Sequence, residues 1–275
     1  MIEAILNYTF MQNALLAALL ASVVTGIIGT IAIEKKLISM SGGLAHASFG
    51  GIGLGYLLGF EPIWGGLVFA IASSGLISRL SQHKKIKADT LTGILWSFGM
   101  ALGILFISLA PGYMPDMTSY LFGDILSVAT SEILYMLGFT VIIFVLFFML
   151  YNYLMVYLFD EEYAQARKMN VRLLRRLVYL IIPIGIIVLI RVVGIILTIA
   201  LMTIPTSIAK LYCKSLARVV LLSTAVSMLF CIAGLALSYN INIPSGVCIV
   251  LVSTVAYLGL LLVRGSFGRM LPKLG

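Results

Sequence analysis

One ionisable side chain lies well inside a long apolar run of this sequence. It is His46, in the stretch MSGGLAHASFGGIGLGYLLG from Met40 to Gly59. An ionisable group in hydrocarbon is costly, and it marks a pathway or a partner. A neutral imidazole can ligate a transition metal, or it can simply hydrogen-bond a neighbouring helix; position alone leaves both readings open. Gly42 and Gly50 stand four residues to either side, on the same helix face, and leave room beside the ring. Gly43, Ala47, Gly51, Gly55 and Gly59 recur at every fourth residue. Such a stripe lets helix backbones approach closely in lipid, and small residues can also line a narrow path. His83, in SQHKKIK, reads as a solvated residue.

Other chemistry is missing. There is no HExxH, and no glycine is followed by lysine, so the phosphate-binding GxxxxGK[ST] loop is absent. All ten carboxylates fall at the ends of apolar runs or between them. Ion-driven carriers commonly rely on membrane-embedded carboxylates, which makes a secondary cation carrier or channel the weaker alternative. An intramembrane protease pairing His46 with a serine such as Ser97 would need a water-filled dyad that nothing in the sequence locates. Cys213, Cys231 and Cys248 lack CxxC spacing and read as small buried hydrophobes.

The elements that must position these residues follow from hydropathy. Of 275 residues, 61% are hydrophobic and 10% charged, with a mean hydropathy of +1.14. Soluble domains carry about 25% charged residues, so lipid is the main solvent. Apolar runs of about twenty residues call for helices rather than barrel strands. The expected fold is all-α and polytopic. About nine spans are predicted, at 14–33, 39–59, 63–82, 89–110, 131–152, 172–190, 192–210, 216–239 and 244–263, with eight as the alternative. The net charge of +8 does not indicate nucleic acid, because the basic residues sit at the edges of the apolar runs. Seventeen of the eighteen Lys and Arg fall on one side of this threading, Arg191 being the exception. Positive residues are retained in the cytoplasm, which places the N-terminus outside and the C-terminus inside.

The chain reads as a single transmembrane domain over 1–275. It has a short external N-terminal segment, 1–12, without signal-peptide features, and a cytoplasmic tail, 264–275. Two connections are longer than the rest. The external one, Pro111 to Thr130, carries Asp116 and Asp124 and a partly apolar YLFGDIL stretch suited to a short surface helix. The cytoplasmic one, FDEEYAQARKMNV, is rich in helix formers, with Asp160 placed as an N-cap.

Five blocks, in order, resemble the integral membrane permease of zinc/manganese/iron ABC importers, the ABC-3 family. They are SGGLAHASFGGIGLGYLLG, DTLTGILWSFGMALGILFISL from Asp89, YLFGDILSV from Tyr120, FDEEYAQARKMNV, and VGIILTIALMTIPTSIAKLY from Val193. The resemblance implies a prokaryotic inner-membrane, homodimeric permease of type II importer architecture that moves zinc or manganese, less readily iron, into the cytoplasm. It implies no enzymatic activity and no resident cofactor. Two cytoplasmic ATPase subunits would dock on a coupling helix at about 160–170, through Asp160, Glu161, Glu162, Tyr163, Ala164 and Arg167. An extracellular metal-binding protein would deliver the ion, and His46 would ligate it in transit. Zinc and manganese members commonly carry an aspartate four residues before that histidine. Here the position is Gly42, so His46 offers one ligand per subunit, or two across a dimer axis.

Overall fold

The computed structural model describes residues 7–83, 86–111, 123, 125–241 and 243–270; the N-terminal residues 1–6, Asp116, Asp124 and the last five residues lie outside them. Among the described residues every regular element is helical. Helix α1 spans Thr9–Glu34, and α2, Ile38–Ala47, is followed directly by α3, Phe49–Leu58. Then come α4, Pro62–His83, and α5, Ala88–Leu109. A single 3-10 turn at Ile125–Ser127 precedes α6, Thr130–Phe159, and a short α7, Glu161–Ala166. Helices α8, Val171–Val193, α9, Ile195–Tyr212, α10, Leu216–Ile241, and α11, Ser245–Met270, complete the chain.

Eight of these are long and apolar enough to cross a membrane. The second expected span is not continuous. It is two ten-residue helices in tandem, and the break at Ser48 has a local cause. The Ser48 hydroxyl donates to the Ala45 carbonyl, the acceptor that the Phe49 amide would use in an unbroken helix. Beyond it the Gly51 amide reaches back only three residues, to the Ser48 carbonyl. The backbone at Ser48 stays close to helical, with φ −58 and ψ −21, so the defect is a kink rather than a turn.

Side-chain contacts sort the helix ends into two sets. At one end, Lys35 at the end of α1 meets Glu161, Lys210 near the end of α9 meets Glu34, and Ser39 at the start of α2 donates to Asp89 at the start of α5. At the other end, Arg191 near the end of α8 pairs with Glu61 before α4 and with Glu132 at the start of α6, at 3.2 and 3.0 Å. There too, Asn13 of α1 donates to Val128 and Thr130, and Ser245 of α11 accepts from the Ile125 amide. Arg191 thus clamps three elements together at this second end. Helices α2 and α3 together run between the same two ends as the long helices do.

Helix α1 is the central post, and most of its length is buried. Gly26 and Gly29 let α10 and α9 lie against it: a Cβ would collide with Thr224 at the first and with the Met202 carbonyl at the second. Hydroxyls join the same helices, Thr206 to Ser223 at 2.8 Å and Thr25 to Ser227 at 3.4 Å. Such bonds contribute about 0.6 kcal/mol each in a bilayer. Around this core, large apolar side chains such as Trp64, Val68, Phe148, Leu229 and Leu262 are exposed, as a lipid-facing surface requires. Cys231 and Cys248 are buried and free; Cys213 is partly buried at the end of α9.

Candidate functional site

In the α2 segment from Ser41 to Ala47, Gly42 and His46 alone are partly exposed. They share one face because they are a helical turn apart. Across that face lies Ile199 of α9, 3.7 Å from where a Gly42 Cβ would stand, an ordinary van der Waals contact. The His46 ring stacks on the Trp96 indole of α5, with centroids 4.5 Å apart and planes 7° from parallel. Stacking of this kind contributes about 1 kcal/mol and fixes the imidazole plane. His46 Nδ1 is buried and has no hydrogen-bond partner among the described residues. A buried polar nitrogen left without a partner is costly, and it is the kind of lone pair or N–H that a passing ligand satisfies.

The small-residue stripe lies elsewhere. Gly43, Ala47, Gly51 and Gly55 are buried against α4 and α5 rather than along the His46 face. A Cβ on Gly43 would strike Thr92, one on Gly51 the Gly65 carbonyl, and one on Gly55 the Pro62 Cα. Gly50 is likewise buried, against Gly99 and Phe69, and Gly99 in turn abuts the Ala47 carbonyl. Gly59 closes α3 in the left-handed conformation, φ 72, which glycine adopts without penalty. Among the described residues no three His, Cys, Asp or Glu side chains converge. Ser97 is exposed on α5, and its hydroxyl donates to the Gly93 carbonyl of its own helix.

The cytoplasmic-type segment folds as a helix shorter than the expected 160–170. Asp160 caps α7, its carboxylate accepting from the Tyr163 amide at 2.8 Å. The helix ends at Ala166 because the Lys168 and Met169 amides turn back to the Gln165 and Ala164 carbonyls, with Lys168 at φ 57. Asn170 then caps α8 through the Leu173 amide. Of the six expected docking residues, Asp160, Glu162, Tyr163 and Arg167 are exposed, with the Arg167 guanidinium over the Tyr163 ring. Ala164 is buried, and Glu161 turns inward to pair with Lys35 and Arg175. Those two bonds tie α7 to the end of α1 and the start of α8, and Lys35 also lies over the Tyr157 ring, 3.6 Å from its centroid.

Partial burial alone would push the Glu161 carboxyl up, but the hydrogen bonds and charges of Lys35 and Arg175 outweigh it and hold the carboxyl below its usual range. A folded-state value that is depressed stabilises the fold above the unfolded value and loses that contribution as pH falls through the folded one. Glu161→Gln is therefore expected to cost about 1–2 kcal/mol of stability at neutral pH. In thermal melts against pH, its gap from the parent should close below about pH 4.3, the ordinary glutamate value. A gap that persists at low pH would show that the carboxylate charge is not what holds α7.

Trp96 and the Lys35–Glu161–Arg175 cluster were not singled out in the sequence. No spacing rule connects Trp96 to His46, fifty residues away. The sequence matches the model of the family described as "ABC 3 transport family" over residues 7–264. The chain belongs to the ABC 3 transport family. It is 40% identical, over 94% of its length and 93% of the relative's, to an uncharacterized membrane protein of Synechocystis sp.. It is 30% identical to the manganese transport system membrane protein MntC of Listeria monocytogenes, covering 99% and 97% of the two chains. The manganese import system permease protein ScaB of Streptococcus parasanguinis is 32% identical, with 94% and 91% covered. Among solved structures, PsaBC from Streptococcus pneumoniae in complex with Fab superposes with a TM-score of 0.84 at 30% identity, covering 94% of this chain and 92% of that one. As a member of this family the chain is a multi-pass membrane permease of a bacterial ABC transporter, a translocation component and not itself an enzyme.

Proposed function

We propose that this permease carries a divalent transition metal, manganese in the first place, into the cytoplasm. The observation that carries the reading is the buried, unpartnered Nδ1 of His46 on a partly open helix face. Manganese is preferred over zinc and iron because the relatives that share about a third of this sequence are named for manganese transport. One His46 cannot hold an ion alone, and no second cluster of donors is at hand among the described residues. Two copies of the chain, related by a two-fold axis that brings their His46 faces together, would supply two imidazoles to one path. The threading in this reading has nine passes, the α2–α3 tandem counting as one. The Lys35–Glu161–Arg175 end is cytoplasmic, and the Arg191 end is outside.

In the same reading, a cytoplasmic ATPase subunit on each permease docks on α7. The outward residues Glu162, Tyr163 and Arg167 meet it, with Asp160 holding the cap. Glu161 and Ala164 transmit the movement because they face into the permease. An external metal-binding protein presents the ion at the opposite end. The deciding experiment reconstitutes the permease with its ATPase and binding protein in liposomes. ATP-dependent uptake of manganese, outcompeted weakly by zinc and iron, is the expected result. Equal or better uptake of zinc would overturn the metal assignment; uptake driven by an ion gradient without ATP would overturn the importer itself.

A further inference from the structure

Beside the Glu161 cluster, on the far side of Arg175, lies a cavity of about 1370 Å³ between α4, the α7–α8 connection and α8. Four of the chain's nine arginines line it, Arg79, Arg172, Arg175 and Arg176, and among the described residues no lysine and no carboxylate does. Arg175 is paired with Glu161. Arg79, Arg172 and Arg176 are exposed and have no ion pair among the described residues. Like charges gathered on one concavity repel each other and concentrate a positive potential there. Topology alone asks only that basic residues lie at this end of the spans. It does not ask that arginines from two helices, about a hundred positions apart in sequence, face the same space.

We propose that this cavity binds the phosphodiester headgroup of an anionic phospholipid. Arginine is the residue suited to it, because its planar fork bonds two phosphate oxygens at once. Neutral donors complete the polar lining: Ser78, Gln82, Gln165, Asn170 and Tyr179. The rest of the wall is apolar, with Ile71, Gly75 and Leu180 one to two turns further along α4 and α8. A second groove of about 320 Å³ continues along α4 past Ala72, Gly75 and Leu76, and shares Gly75 and Arg79 with the cavity. Gly75 has open space where a Cβ would stand, and Leu76 is exposed. A charged head chamber joined to an open apolar groove on the lipid-facing side fits an amphiphile. A soluble anion or an acidic peptide has no use for the groove. Basic pockets between spans at the cytoplasmic face are a known form of headgroup site.

The test uses the purified full chain in detergent, without ATPase, ATP or metal, so that its outcome is independent of the transport reading. Phosphatidylglycerol, phosphatidylcholine and inorganic phosphate are titrated separately, with thermal stability and retained lipid by native mass spectrometry as readouts. Phosphatidylglycerol is expected to stabilise the chain and to be retained about tenfold more tightly than phosphatidylcholine. In the triple variant Arg79→Gln, Arg172→Gln, Arg176→Gln that preference should vanish. Gly75→Leu, which fills open space and improves helix propensity, should weaken lipid retention about tenfold while leaving any phosphate response unchanged. Equal retention of both lipids by the parent chain would overturn the proposal, as would a preference that survives the triple variant. A response to inorganic phosphate matching that to phosphatidylglycerol would assign the cavity to free phosphate instead.

Discussion

Replacing His46 with alanine is expected to reduce metal uptake by the reconstituted importer by about a hundredfold while leaving the complex assembled. The imidazole contributes little to the fold, since its principal packing is the stack on Trp96, about 1 kcal/mol. Its Nδ1 makes no hydrogen bond among the described residues. Deletion therefore leaves no stranded partner, and the usual large cost of breaking a buried polar pair is absent. If the ion is handed through two imidazoles, losing both removes nearly all of its ligands within the apolar path, where each lost ligand costs several kilocalories. Gly42→Asp tests the same face from the other direction. The position beside Ile199 accepts a Cβ without collision, and a carboxylate one turn from His46 would give the pair two ligands on one helix. That variant should hold manganese more tightly, as read by calorimetry, with a slower release in uptake. Uptake unchanged in His46→Ala would remove this face from the mechanism.

Gly51→Ala should be the most destructive single methyl in the α2–α3 tandem. A Cβ there would overlap the Gly65 carbonyl of α4, and a Cβ at Gly65 would overlap the Gly51 carbonyl in return. These are backbone atoms, so no rotamer can move aside; the helices must separate. Separation would also loosen the contacts of Gly50 and Gly53 with Gly99 and Gly103 of α5. Alanine gains about 1 kcal/mol over glycine in helix propensity, but overpacking of this kind costs about 1–3 kcal/mol and more when backbone must shift. The expected net is a loss of about 2 kcal/mol, or roughly 5 °C in a thermal melt. Gly93→Ala is the control: Gly93 lies on the exposed side of α5 with nothing within 4 Å of a Cβ, and it should be neutral or slightly stabilising. If both variants melt alike, the close approach of α3 to α4 is not what holds the tandem in place.

The Gly51 and Gly93 pair shows where sequence reading stops. Both are glycines in apolar helices, and the four-residue recurrence of Gly43, Ala47, Gly51 and Gly55 is a pattern visible in the sequence. Which helix meets it, and which glycine touches backbone rather than a yielding side chain, depends on partners at Gly65 and Gly99 that no local pattern names. Ser48 shows the same limit in the other direction. Hydropathy across 39–59 is uninterrupted, so it predicts one span, while a single hydroxyl taking the Ala45 carbonyl divides it.

What the sequence determined by itself is whatever depends on local chemistry or on transfer between water and lipid. The all-helical fold, the order of the long apolar helices and the Asp160 cap belong to this class, because hydrophobic length and a side chain three residues from its amide act within one segment. The tertiary structure alone decided the stack of Trp96 on His46, the inward turn of Glu161 to Lys35 and Arg175, and the meeting of Arg79 with Arg172 and Arg176 around one cavity. Each joins residues far apart in the chain. In lipid, where apolar faces are nearly interchangeable, it is close backbone fit and a few polar pairs that choose which helices become neighbours.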